Sequence, residues 1–345
     1  MIKVLIVDDS IFMRKVLTEG LSRNPEINVV GSAADPYEAR EKILDLNPDV
    51  VTLDIEMPRM DGLSFLLKLM KYHPMPVVIL SSMTPANSVI AIKALEIGAA
   101  EVLCKPSGNT SPSQLQLVLI NSIRAAYNSK IFKNDFYSAQ NTVTYKGSNA
   151  EANPVNPGRV IAIGASTGGT KAIQQLLIQI PSNVPAIVIA QHMPEGFTGP
   201  FARRLDEQCR LKVVEASDGE ALSPGTAYIA PGNRHLTIEG PKGAPRIRLK
   251  DGPRVFHQRP SVDVLFQSVA RTAGADAVGV LLTGMGEDGA RGLLEMRKAS
   301  AHTIAQDETT CAVFGMPRVA IGLGAAVEVL PIHKIPESIL KAVST

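Results

Sequence analysis

The chain has 345 residues, 45% of them hydrophobic and 20% charged, with a formal net charge of +2. That length suits two globular domains, the composition excludes intrinsic disorder, and so small a charge gives no case for a nucleic-acid partner. No apolar run approaches the roughly 18 residues of a membrane span, so direct membrane insertion is not expected.

Residues 1–126 alternate short apolar strands with helical patterns. Val4-Leu5-Ile6-Val7 reads as the first strand, with an amphipathic helix following from Ser10. Val29-Val30, Val50 to Leu53, Val77 to Leu80 and Glu101 to Cys104 read as further strands. Helices are expected over Pro36–Leu46, Gly62–Tyr72 and Ala86–Ile97. Such alternation predicts βαβ units and a parallel sheet covered on both faces, with reactive groups at the carboxyl ends of its strands. Asp8 and Asp9 end the first strand, Asp54 the third, Ser81 and Ser82 the fourth, and Lys105 with Pro106 the fifth. A single aspartate after a strand usually caps a helix. Three at one sheet edge repel one another, and a divalent cation with oxygen ligands, Mg²⁺, relieves that repulsion. A carboxylate so held can attack a phosphoryl group, with a lysine and a hydroxyl steadying the transferred oxygens.

Val7-Asp8-Asp9-Ser10, Asp54 followed by Met57-Pro58-Arg59-Met60-Asp61-Gly62, and Lys105-Pro106 resemble a response-regulator receiver domain. The resemblance implies a flavodoxin-like fold, Asp54 as phosphoacceptor, and Asp8, Asp9 and Asp54 as Mg²⁺ ligands. It also implies phosphoryl contacts from Lys105 and a fourth-strand hydroxyl, assigned to Ser81 with Ser82 as the alternative, and a histidine kinase as phosphodonor.

Residues 127–157 lose the apolar periodicity. Asn141 to Pro157 is rich in Asn, Pro, Gly and Ser, which predicts a linker, although Phe132, Phe136 and Tyr137 offer apolar groups for docking.

Residues 158–345 resume the alternation. Val160 to Ile163 reads as a buried strand, followed by Gly164-Ala165-Ser166-Thr167-Gly168-Gly169 and a helix over Thr170–Ile180. The turn fits G-x-S-x-G spacing and places a hydroxyl at a helix N-terminus. By itself it also suits plain strand–helix packing or phosphate binding. Ala186 to Ala190 is a second strand, ending in Gln191-His192-Met193-Pro194. Ala277 to Leu282 is a third, ending in Thr283-Gly284-Met285-Gly286-Glu287-Asp288-Gly289. Between them, Val213–Ala216, Ala227–Ala230 and Arg246–Leu249 read as shorter strands of a hairpin region.

Ser166, His192 and Asp288 thus each follow a parallel strand, as a nucleophile, base and acid require. Glu287, Asp263 and Asp307 rival Asp288 for the acid, and Asp263 with Ser261 also suits a helix cap. Backbone N–H groups in Gly284-Met285-Gly286, or after Ser166 at Thr167, are candidate oxyanion donors. Only 26 residues separate Ser166 from His192, and the acid comes last, which excludes the α/β-hydrolase chain order. The other five histidines lack such a setting. Cys104, Cys209 and Cys311 are far apart with no C-x-x-C pair. They are expected as small core residues in a reducing cytoplasm rather than as nucleophiles or zinc ligands, and the N-terminus does not read as a signal peptide.

The segments Ile161 to Gly169, Gln191-His192-Met193-Pro194, Tyr228-Ile229-Ala230-Pro231-Gly232, Arg259-Pro260-Ser261-Val262-Asp263 and Leu282 to Gly286 resemble the chemotaxis protein-glutamate methylesterase (CheB) family. The resemblance implies a Rossmann-like three-layer second domain, making the chain α/β with two doubly wound parallel sheets. It further implies hydrolysis of glutamate methyl esters on the cytoplasmic helices of chemoreceptors with release of methanol, and deamidation of receptor glutamines. Ser166, His192 and Asp288 would be the triad, with Met285 an oxyanion donor through its backbone and no cofactor for hydrolysis. The unphosphorylated receiver is expected to cover the active site until Asp54 is phosphorylated.

Overall fold

The computed structural model describes residues 1–82, 84–105, 112–129, 158–241 and 243–344. The chain divides into two compact units, Met1–Phe132 and Lys133–Thr345. Most of the expected linker, from 130 to 157, and Pro106 lie outside the described residues.

The first unit runs β1 (Ile2–Val7), α1 (Ile11–Leu21), β2 (Ile27–Ala33), α2 (Pro36–Leu46), β3 (Val50–Asp54), α3 (Gly62–Tyr72), β4 (Val77–Ser81), α4 (Pro85–Ile97), β5 (Glu101–Cys104) and α5 (Pro112–Tyr127). Its first four helices start where the side chains of Ser10, Asp35, Asp61 and Thr84 accept a first-turn N–H, and Pro36 takes a first-turn position whose N–H would lack a partner. α5 continues through Tyr127, one residue into the segment expected as linker. The strands pair in parallel in the order β2-β1-β3-β4-β5. Val4, Ile6, Val50, Val78 and Leu80 bury against Leu17, Leu119 and Ile123. The strand order reverses between β1 and β3, the crevice where open α/β sheets bind ligands.

The second unit runs β6 (Val160–Ala165), α6 (Gly169–Leu177), β7 (Ala186–Gln191), α7 (Thr198–Asp206), β8 (Lys212–Glu215), β9 (Thr226–Ile229), β10 (His235–Glu239), β11 (Arg246–Lys250), α8 (Val262–Thr272), β12 (Ala277–Leu281), α9 (Ala290–Lys298), β13 (His302–Gln306), α10 (Met316–Gly322), β14 (Glu328–Leu330) and α11 (Ile335–Ser344). Seven strands pair in the order β14-β13-β12-β6-β7-β9-β8, all in parallel. α8, α9 and α10 pack together on β12 and its neighbours, while α6 and α11 pack together against β6, β12 and β13. Both sheets are doubly wound, as expected.

The expected hairpin region is corrected in part. β8 and β9 are parallel strands of the main sheet, β9 paired between β7 and the edge strand β8; the antiparallel ribbon is β11 with β10, a strand the periodicity did not reveal. The helix expected over Thr170–Ile180 stops at Leu177. Ile180 keeps the apolar rhythm only because it is buried in the turn that follows, where its N–H reaches Leu177.

Candidate active site

β12, β6 and β7 lie side by side, and their ladder continues past the strand ends. Leu282 N–H donates to Gly164 at 2.9 Å, Ser166 N–H to Thr283 at 3.0 Å, and His192 N–H to Ala165 at 3.1 Å. Parallel pairing therefore fixes the backbone of Ser166, His192 and Thr283 in one row along the carboxyl edge. The strand sequence runs outward from β6 through β7 and returns on the other side through β12, so Ser166 sits at the switch point.

The side chains converge on that edge. Nδ1 of His192 is 3.0 Å from Ser166 Oγ, and Nε2 is 2.7 Å from Asp288 Oδ2. Asp288 is 2% exposed, and its remaining capacity is filled. Ser261 Oγ donates to Oδ1 at 2.8 Å, Asp263 N–H to Oδ1 at 3.0 Å, and Val262 N–H to Oδ2 at 2.8 Å. These donors are the first turn of α8, so the carboxylate occupies the positive end of a helix. Burial pushes the Asp288 carboxyl up, but the hydrogen bond and charge of His192 and the α8 amides outweigh it and hold it below its ordinary value. The rivals go elsewhere: Asp263 Oδ1 accepts from Gly292 N–H at 2.6 Å, and Asp307 accepts from Thr309 and Thr310. Glu287 gives its backbone carbonyl to Ala290 N–H.

The turn after β6 is braced from two sides. Gly168 takes φ +76°, a left-handed backbone open to glycine, and begins α6 without a side-chain cap. Thr283 Oγ1 donates to the carbonyl of Thr167 at 3.0 Å, and Gln191 Nε2 donates to the carbonyls of Ser166 at 2.9 Å and His192 at 3.0 Å. Gly284 approaches so closely that a Cβ there would lie 2.7 Å from Ser166 Cβ. The Gly284 carbonyl is held by the N–H groups of Gly315 and Met316, which fixes the orientation of the peptide plane it shares with Met285 N–H.

Sequence reasoning missed the bracing by Gln191 and Thr283 and also His235. That histidine is buried; its Nδ1 accepts from Ser261 N–H at 3.1 Å and its Nε2 faces the Pro253 carbonyl at 2.9 Å. Gln191 and Thr283 stand at strand ends, a visible signal, but His235 carried none. Among the cysteines, Cys311 is buried, while burial and the charge of Asp206 push the Cys209 thiol up to about 12, far from a reactive thiolate.

In the first unit, carboxylate oxygens of Asp8, Asp9 and Asp54 lie within 4.8 Å of one another. Asp8 and Asp54 are buried and Asp9 is exposed. Lys105 Nζ lies 2.8 Å from Asp8 Oδ2 and 2.6 Å from Asp54 Oδ2. Burial, aided by Asp8, pushes the Asp54 carboxyl up to about 6 against the pull of Lys105. The same two carboxylates raise Lys105 despite the burial that would lower it. An all-oxygen donor set open on one side suits a hard divalent ion such as Mg²⁺. Ser81 ends β4 with its hydroxyl buried and donating to the Ser82 carbonyl at 3.2 Å, whereas Ser82 Oγ turns to Glu56 at 3.1 Å.

Fold and site together define an α/β unit with three aspartates and a lysine at the carboxyl edge of its sheet, followed by an α/β unit that carries a Ser–His–Asp arrangement at its switch point. The response regulator receiver domain family matches residues 4–115, and the CheB methylesterase family matches residues 161–339. A protein of Syntrophus aciditrophicus (strain SB) named protein-glutamate methylesterase/protein-glutamine glutaminase 2 is 47% identical over 342 residues, covering 99% of this chain and 99% of its own. One of Thiobacillus denitrificans with the corresponding name is 49% identical, covering 99% and 96%. The crystal structure of the Thermotoga maritima CheB methylesterase catalytic domain superimposes with a TM-score of 0.52 at 40% identity, covering 53% of this chain and 97% of that domain. The chain belongs to the CheB methylesterase family. No helix among the described residues is long and apolar enough to cross a membrane.

Proposed function

We propose that the second unit hydrolyses methyl esters of glutamate side chains on chemoreceptor proteins, releasing methanol, and converts receptor glutamines to glutamate. The observation that carries this reading is the continuous contact from Ser166 Oγ through both nitrogens of His192 to Asp288, in a chain whose relatives bear the esterase and glutaminase name along their full length.

The ring order sets the proton path. Nε2–H donates to Asp288, which leaves the Nδ1 lone pair facing Ser166 Oγ. Ser166 Oγ attacks the ester carbonyl carbon as Nδ1 takes its proton, giving a tetrahedral oxyanion. Met285 N–H, next to the Gly284 peptide that packs on Ser166, and Thr167 N–H serve as its donors, each worth roughly 3–4 kcal/mol in the transition state. Collapse transfers the proton from Nδ1 to the methoxide, methanol leaves, and water attacks the acyl-serine by the reverse path. With glutamine the same acyl-serine forms and ammonia leaves instead. One site therefore serves both reactions, and hydrolysis needs no cofactor.

The receiver is the control. Asp54 accepts the phosphoryl group from a histidine kinase, and Asp8, Asp9 and Asp54 hold Mg²⁺, which when bound offsets the negative charge gathered there. Lys105 and the Ser81 hydroxyl steady the phosphoryl oxygens. The phosphoryl group adds nearly two negative charges to a buried site, enough to bias a two-state domain and relieve its restraint on hydrolysis. A cytoplasmic chain with boundaries near 1–126, 127–157 and 158–345 completes this reading.

The test is methanol release from methyl-labelled receptor membranes, with and without a small phosphodonor and Mg²⁺, for the wild type and Asp54→Ala. The phosphodonor is expected to raise the wild-type rate and leave Asp54→Ala unchanged. Equal wild-type rates contradict control by the receiver.

A further inference from the structure

We infer that Arg254 and Arg259 form a recognition point for a carboxylate of the substrate chain beside the scissile ester, so that the enzyme selects esters set in acidic segments. This rests on the hydrolase reading above and adds to it a substrate preference.

Both guanidinium groups converge on one neutral atom. Arg254 Nη2 lies 3.2 Å from Asn233 Oδ1, and Arg259 reaches the same oxygen with Nε at 3.2 Å and Nη2 at 2.7 Å. Arg259 Nη1 donates to the Gly252 carbonyl at 2.8 Å. Neither arginine has a carboxylate partner among the described residues. An amide oxygen has two lone pairs and two guanidinium groups carry ten N–H bonds between them, so donors are left over. Partial burial and the charge of Arg259 push Arg254 below its ordinary value, as expected of two cations held together without a counter-charge.

The pair lies where the two halves of the site meet. Arg259 is two residues before Ser261, whose hydroxyl holds Asp288. Its carbonyl accepts from Asn233 N–H at 2.9 Å, and Asn233 Nδ2 donates to Glu195, three residues beyond His192, at 3.2 Å. Gly232 presses on that same stretch, where a Cβ would lie 2.4 Å from Glu195 N. The cluster therefore bridges the segment bearing the base and the segment bracing the acid.

A strained hairpin fixes the spacing of the two arginines. Val255 and Gln258 exchange backbone hydrogen bonds of 3.1 and 2.8 Å, and the two residues between them, Phe256 and His257, take φ of 49° and 64°. Residues with side chains rarely hold that backbone, and such strain gathers at functional segments. Arg254 and Arg259 flank this hairpin directly. The complementary ligand is anionic, and a carboxylate of the substrate chain close to the ester fits it.

Two synthetic peptides test this, each with one glutamyl methyl ester, one flanked by glutamates and the other by serines. kcat/KM is measured for the full chain as wild type, Arg254→Gln and Arg254→Lys. The wild type is expected to favour the acidic peptide roughly three- to tenfold, a preference that shrinks as salt rises from about 0.05 to about 0.5 M. Arg254→Gln is expected to bring the ratio to about one through KM rather than kcat, and Arg254→Lys to restore part of it. No wild-type preference, or equal losses on both peptides in Arg254→Gln, overturns the inference while leaving the hydrolase reading intact. If the wild type cleaves neither peptide, both fall.

Discussion

Ser261 Oγ donates to Asp288 Oδ1 at 2.8 Å, and through that contact the start of a helix anchors the acid of the site. The two residues after Ser261 give their backbone N–H groups to the same carboxylate. An ionised group is thereby kept in a buried place, where an unpaired charge would cost several kcal/mol.

Asp288→Asn removes that charge and turns a donor toward either His192 or α8. We expect kcat for ester hydrolysis to fall roughly 10³–10⁴-fold, because the imidazole loses the partner that orients it and stabilises its protonated form. Stability should fall by about 1–3 kcal/mol as the α8 donors lose a charged acceptor. Steady-state kinetics with a denaturation curve checks both. A fold-stable variant with near wild-type kcat would remove Asp288 from the mechanism.

Asp263 behaves oppositely. Burial, with Asp288 nearby, pushes its carboxyl up to about 6 from an ordinary 3.8, although Gly292 N–H pulls it down. Between those values the folded chain binds a proton that the unfolded chain does not, so stability falls as pH rises, and the penalty is complete above about 6. Asp263→Asn keeps a carbonyl oxygen for Gly292. It is expected to raise stability near pH 7.5 by about 1–3 kcal/mol, with the gain vanishing near pH 4. Parallel curves of melting temperature against pH for the two proteins would contradict this.

Gly284→Ala tests the close approach over the nucleophile. The new methyl would meet Met316 Sδ at 2.3 Å and Ser166 Cβ at 2.7 Å, so the Thr283–Met285 segment must retreat. Hydrolysis is expected to drop at least 10²-fold through lost oxyanion stabilisation, with about 1–3 kcal/mol of stability. Phosphorylation of Asp54, in the other unit, should proceed at the wild-type rate. A fully active variant would assign the oxyanion donors elsewhere.

Much of this site is legible in the sequence because parallel sheets are. Ser166, His192 and Asp288 each follow an apolar run, and a parallel sheet gathers whatever follows its strands along one edge. Asp8, Asp54 and Lys105 are readable for the same reason. Contacts that depend on strand order are not. Thr283 Oγ1 meets the Thr167 carbonyl across 116 residues, and nothing local to either residue announces it. β8 and β9 look like hairpin strands because short apolar runs between Gly/Pro turns read alike whether the chain turns back directly or crosses over. β10 buries Leu236 and Ile238 on one side, too short an alternation to stand out, and the support His235 gives Ser261 was hidden with it. Strand-end position favours Asp288 as the acid, and the resemblance agrees, but Glu287, Asp263 and Asp307 stay rivals until the sheet order is known.

The most direct measurement of the central claim is methanol released from methyl-labelled receptor membranes by the wild type and by Ser166→Ala. Wild-type release, with loss of at least roughly 10³-fold in Ser166→Ala and an unchanged melting temperature, is the predicted result. Undiminished release by a folded Ser166→Ala protein would contradict the account.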